Sequence, residues 1–178
     1  MLALSLLLPS LPALAAGVES TREYKVKAGF LFNFAKFVEW PREALPKTNS
    51  PLIIGVLADD PAGPIIKSAI EVTPALAANG HAVVFKLLPS LEGDPECHIL
   101  FLSRAKEEKI EEILARTQAQ PILIVSEVDG FAQRGGMINF IRKDDYFRFE
   151  VNLEAAEKAG LKISANLASM ATIVKSRK

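Results

Sequence analysis

The sequence predicts an α/β domain with a mostly parallel sheet, helices on both faces and an antiparallel hairpin near the C-terminus. Three observations carry this. Continuous apolar runs of strand length recur at Leu52 to Leu57, Cys97 to Leu102 and Pro121 to Val125, the mark of strands covered on both faces. Segments of helical periodicity alternate with them. Two short strand-like runs, Met137 to Ile141 and Tyr146 to Val151, flank a polar turn at Lys143-Asp144-Asp145, as a hairpin requires.

The elements follow in order. The first eighteen residues carry no ionisable side chain, and Pro9 and Pro12 interrupt their apolar run. A spanning helix needs roughly 20 apolar residues, so residues 1–16 read as a secretory signal with Ala13-Leu14-Ala15 as the small-residue cleavage site. No basic residue precedes the apolar stretch, which leaves an uncleaved anchor as the other reading. The globular domain then occupies residues 20–175. Ser20-Thr21-Arg22-Glu23 has capping-box spacing and predicts a helix start. Tyr24, Ala28, Leu31, Ala35 and Val38 form one apolar line of that helix. Phe30, Phe34 and Phe37 form a second, so its arc is wider than a single buried face needs. Pro41 ends it.

After the first buried strand, Asp59-Asp60-Pro61 and Gly63-Pro64 turn the chain, and a helix covers Ile65 to Ile70. Asn79-Gly80 signals a turn before a strand from His81 to Leu88. Lys106 to Thr117 is an amphipathic helix with Ile110, Ile113, Leu114 and Thr117 inward and an i,i+4 pair, Glu112 and Arg116, outward. On the hairpin, Phe147, Phe149 and Val151 share one face, with Arg148 and Glu150 on the other. Asn152 caps a short helix closed by Gly160, and Ser164 begins a last helix with Leu167, Met170, Ala171 and Val174 inward.

Composition narrows the function. The chain has 178 residues, 49% hydrophobic, with 21 Lys plus Arg against 21 Asp plus Glu. That balance offers no electrostatic footing for nucleic acid. The single cysteine, Cys97, excludes an internal disulfide. It neighbours His98, but strand neighbours point to opposite faces, so Cys97 reads as a small core residue and not half of a thiol dyad. No HExxH, GxSxG, P-loop, GxGxxG or CxxC motif occurs. No catalytic residue, cofactor or metal site is expected, and His81 and His98 read as ordinary. Asp59 and Asp60 lie where α/β folds gather ligands, at the end of a strand. Without a third acid after the third strand they read as a solvated turn.

Two regions remain as candidates. Phe30, Phe37 and Trp40 exceed what one helix face can bury and are candidate partner-binding residues, Trp being enriched at hot spots. In the loop around Gly130, Phe131, Arg134, Gly135 and Gly136, with Asn139 beyond, are candidate ligand-binding residues: consecutive glycines expose backbone N–H groups and Arg134 attracts an anion. The other reading is a wide loop with Phe131 folded back as a plug.

The stretch from Glu23 to Pro41, EYKVKAGFLFNFAKFVEWP, resembles the start of the YfiR-like family. The likeness continues through IGVL with Asp59-Asp60-Pro61, CHILFLS from Cys97, GFAQRGGMINF from Gly130, FEVNL from Phe149 and GLKIS from Gly160. The resemblance implies a periplasmic α/β protein, homodimeric, that binds the periplasmic domain of an inner-membrane diguanylate cyclase and represses it. Such repressors act in cyclic-di-GMP signalling and biofilm formation, and an outer-membrane lipoprotein that sequesters the repressor releases the cyclase. A small-molecule sensor, or an accessory protein of another membrane partner, is the alternative. The best-known members carry paired cysteines; this chain keeps only Cys97, so that redox switch has no counterpart here.

Overall fold

In a computed structural model the chain is described at residues 12–45, 50–72, 80–93, 95–143 and 146–177. Helix α1 spans Pro12–Phe37 and runs straight into a two-residue strand, β1, Val38–Glu39. The parallel sheet is built from β2 (Leu52–Leu57), β3 (Val83–Leu88), β4 (Ile99–Leu102), β5 (Leu123–Ser126) and β6 (Ile138–Lys143). β7 (Tyr146–Val151) pairs antiparallel with β6, and β9 (Thr172–Ile173) pairs parallel with β7. The spatial order is β3-β2-β4-β5-β6-β7-β9. A separate ribbon joins β1 to β8 (Lys162–Ile163), Val38 opposite Ile163.

Alternate side chains feed two cores. Leu52, Ile54, Val56, Ile99, Phe101, Leu123 and Val125 face α1 and α2 (Gly63–Glu71). Leu57, Leu100, Leu102 and Ile124 face α3 (Ile110–Thr117) and the loop that follows β5. Buried strands of a parallel sheet need apolar residues on both faces, and these runs supply them. α3 buries Ile110, Ile113, Leu114 and Thr117 and pairs Arg116 with Glu112 at 3.2 Å, as its periodicity predicts.

Caps place the C-terminal pieces. The Asn152 side chain accepts the Ala155 N–H at 3.0 Å and starts α4 (Leu153–Lys158); Gly160, at φ +77°, turns the chain out of it. Ser164 accepts the Leu167 N–H at 3.2 Å and starts α5 (Ala165–Ser169).

Several expectations are corrected. α1 begins at Pro12 and not at Ser20, because the alanine-rich stretch before Ser20 continues the helix; the Glu23 carboxylate reaches forward to Lys27 instead of closing a capping box. The segment predicted as one helix from Lys106 opens as a 3-10 turn, Arg104–Lys109, capped by Ser103. β4 and β5 start two residues later than the apolar runs do, since Cys97 and Pro121 pack without joining the ladder. α5 is shorter than predicted: Leu167 is buried but Met170 is 57% exposed. The expected turn residues Asn79, Asp144 and Asp145, and the signal segment as far as Leu11, lie outside the described residues.

Candidate functional site

The connection from β2 leads to β3 on one side, while that from β4 leads to β5 on the other. The gap between the C-terminal ends of β2 and β4 is therefore the topological switch point, where an open α/β sheet offers a ligand crevice. Here α1 fills it. Asp60, just past β2, is 1% exposed. Its Oδ1 accepts the Ala62 N–H at 2.9 Å and its Oδ2 accepts the Ser103 N–H, just past β4, at 3.0 Å. The expected solvated turn is thus half wrong. Asp59 stays exposed and pairs with Lys106 at 2.6 Å, whereas Asp60 is a buried clasp between two strand ends.

Over this clasp lies a buried ion cluster. The Lys27 ammonium, 1% exposed in a folded interior, contacts the carboxylates of Glu23 and Glu127. It also sits 5.2 Å from the Tyr24 ring centroid and 5.3 Å from that of Phe147, within cation–π range. Glu127 Oε1 accepts from the Tyr24 hydroxyl and the Arg104 backbone N–H, each at 2.9 Å. Burial, reinforced by the Glu127 charge, holds the Tyr24 phenol well above its ordinary value, so it stays a donor. Every charge in the cluster has a partner, as a buried charge must. Among the described residues no group of three or more His, Cys, Asp or Glu side chains is placed to hold a metal ion.

Of the predicted partner residues, Phe30 and Phe37 lie on the same helix and Trp40 follows β1. Phe34 belongs to the core, while Phe30 and Phe37 are half-buried at its rim. Phe30 packs on Phe34, Phe140 and Phe149 with ring centroids 5.8–6.2 Å apart. Trp40 is half-buried too, its indole N–H donating to the His98 carbonyl at 3.2 Å. The apolar surface continues past this rim to Val26, 42% exposed on α1, and to half-buried Phe147 on β7. Tyr146, Met170 and Ile173 are further large exposed side chains at this end of the sheet.

The predicted ligand loop is filled by its own residues. Phe131 is fully buried, and a Cβ on Gly136 would stand 2.1 Å from its ring, so Gly136 is the floor on which the ring lies. Arg134 pairs with Glu111 at 2.8 Å, Gly135 supplies a turn at φ +105°, and Asn139 is buried beneath. The Asn139 amide donates to the carbonyls of Ser126 and Val128 at 3.2 and 3.0 Å. The structure therefore gathers these five residues in one place, in the plug arrangement.

Cys97 packs at 7% exposure across Gly55, where a Cβ would lie 2.9 Å from its own. Burial pushes its thiol up to about 12, which keeps it protonated and unreactive at neutral pH. Sequence reading missed Lys27, Glu127 and Asp60. The available signal was the i,i+4 pair Glu23 and Lys27 beside two acids that follow buried strands.

No helix among the described residues is long and apolar enough to cross a membrane. No curated protein matches the chain. Residues 24–172 match the family profile described as YfiR/HmsC-like, which takes in α1 from Tyr24 onward, strands β1 to β8 with the first residue of β9, and both C-terminal caps. The chain belongs to the YfiR/HmsC-like family, a regulatory family of periplasmic proteins acting on diguanylate cyclase systems.

Proposed function

We propose that this protein represses an inner-membrane diguanylate cyclase by docking the rim of α1 on the cyclase's periplasmic domain. The observation that supports this reading is the aromatic rim itself. Phe30, Phe37 and Trp40 are half-buried, and Val26 continues their surface outward. A patch of this kind on an exported domain invites a protein partner. Export through residues 1–16 belongs to the same proposal, as do a homodimer and an outer-membrane lipoprotein that competes for the repressor. A ligand sensor at residues 131–139 has less support, because Phe131 occupies the space a ligand would take.

The test is capture of the purified periplasmic domain of a co-encoded diguanylate cyclase by the tagged protein, with Val26→Glu and Phe37→Ala as variants. Truncated anchors at an interface typically cost about 2 kcal/mol or more, some thirtyfold in affinity. Both variants should lose binding to about that degree and still melt cooperatively. Equal binding by both variants would remove the rim from the proposal. No capture by the wild type, with unchanged cellular cyclic-di-GMP on deletion, would remove the repressor reading altogether.

A further inference from the structure

The two edges of the seven-stranded sheet differ. At one, β9 has two residues, too short to template another strand. At the other, β3 has six, Val83–Leu88, paired with β2 residue for residue and without a bulge. Two flanking bonds fix which way its backbone groups point. The Ala82 carbonyl accepts the Leu52 N–H, and the Leu88 carbonyl accepts the Ala58 N–H, each at 2.8 Å. Even-numbered residues therefore turn their N–H and C=O toward β2, and Val83, Phe85 and Leu87 turn theirs outward. Among the described residues nothing pairs with these outward groups.

Natural sheet edges are blunted by shortness, proline, a bulge or free charge. β3 has none of the first three, and its one charged residue, Lys86, is occupied by Glu96. Apolar side chains stand exposed on both of its faces. Val84 is 44% exposed, and Leu87, which leans on Gly63 of α2, is 38% exposed. A long, flat, apolar edge of this kind recruits another strand.

We propose that β3 pairs antiparallel with β3 of a second copy of this chain, about a two-fold axis at Phe85. Two-fold symmetry makes an edge self-complementary, since each outward donor finds its acceptor twice. With Phe85 facing Phe85, Val83 faces Leu87 of the other copy, and every outward N–H and C=O on both strands is bonded. The neighbouring registers do worse. An axis at Lys86 sets lysine against lysine and brings Pro89, which has no N–H, opposite Val83. An axis at Val84 leaves Leu87 facing His81, ahead of the strand. The register centred on Phe85 also puts Lys86 opposite Val84, so its methylene stem covers that exposed side chain and like charges stay apart. The inference rests on the homodimer of the proposed function and is independent of the surface that meets the cyclase.

Sedimentation of the purified protein over a concentration series should show a monomer–dimer equilibrium. Val84→Lys sets a lysine against Lys86 at both symmetric positions and should weaken the dimer about fivefold or more; Val84→Glu sets a carboxylate there and should hold or tighten it. Val84 is a surface side chain, so both variants should melt as wild type does. Cα atoms of a hydrogen-bonded antiparallel pair lie about 5.5 Å apart, within reach of a disulfide. Phe85→Cys should therefore cross-link the dimer on mild oxidation, Cys97 being buried, while Tyr146→Cys at the far end of the sheet should lag well behind. Should Phe85→Cys fail to fold, the two Val84 variants decide alone. A dimer indifferent to both Val84 charges would overturn the β3 interface and leave the homodimer standing. A wild type that stays monomeric at every concentration would overturn both, and loss of cyclase capture by Val84→Lys would then assign the edge to the cyclase.

Discussion

Replacing Lys27 by Met keeps the length and apolar stem of the side chain and removes only its charge. Glu127, 8% exposed, then faces the interior without a cation. Its two remaining donors, the Tyr24 hydroxyl and the Arg104 N–H, are neutral. Removing one partner of a buried pair costs about 3–5 kcal/mol, because the other charge stays desolvated. Glu23 contributes little to that figure, since its side chain is 27% exposed and can hydrate. For a chain of this size each kcal/mol moves the Tm by about 2–4 °C, so Lys27→Met should melt about 6–20 °C below wild type. The ion pair is also too deep for mobile ions to screen, so added salt should not erase the difference. The assay is thermal melting followed by dichroism, with Glu127→Gln and the double variant completing the cycle. The double variant should cost clearly less than the two singles together, since neither charge is then stranded. A Lys27→Met melt within 2 °C of wild type, or strictly additive singles, would refute the reasoning and leave the cluster without a structural role.

Other variants test separate links. Tyr24→Phe removes one donor to a buried carboxylate and should cost about 1.5–3 kcal/mol, read from the urea midpoint. Gly136→Ala drives a methyl into the Phe131 ring, 2.1 Å away, and should lower the Tm and raise dye binding by expelling the ring; an unchanged melt would show that the plug is slack. Native Cys97 should resist maleimide until denaturant is added, and Cys97→Ser should fold with reduced stability.

What the sequence disclosed was set by period and length. The buried strands and α3 were legible because four or more consecutive or regularly spaced apolar residues leave little choice of environment. The caps at Asn152 and Ser164 were legible because a side-chain oxygen three residues ahead of an N–H is a local arrangement. The strands β1, β8 and β9 were not: each has two residues, too few for any periodicity, and exists only because a distant segment pairs with it. The start of α1 was misread because a capping box states that a helix can begin at Ser20, not that the preceding alanines will decline to join it. Asp60 was misjudged and Lys27 missed for a common reason. Charged residues are assigned to solvent by default, and their burial depends on partners 43 and 100 positions away, at Ser103 and Glu127.

These misjudged residues bear on how the fold is used. The crevice where an open α/β sheet holds its ligand is closed by α1, whose Tyr24 and Lys27 are both satisfied by Glu127. Filling the crevice from within fixes α1 at one end. At the other end the Phe37 carbonyl accepts from Ser164 at 2.9 Å, β1 pairs with β8, and Trp40 is held by His98. Between these two fixed points lie Phe30 and Phe37. Phe30 is ordered by packing on Phe34, Phe140 and Phe149 and Phe37 by packing against the same core, so docking on them would require little further ordering. The interior thus gives up a ligand site and the exterior gains a rigid aromatic edge.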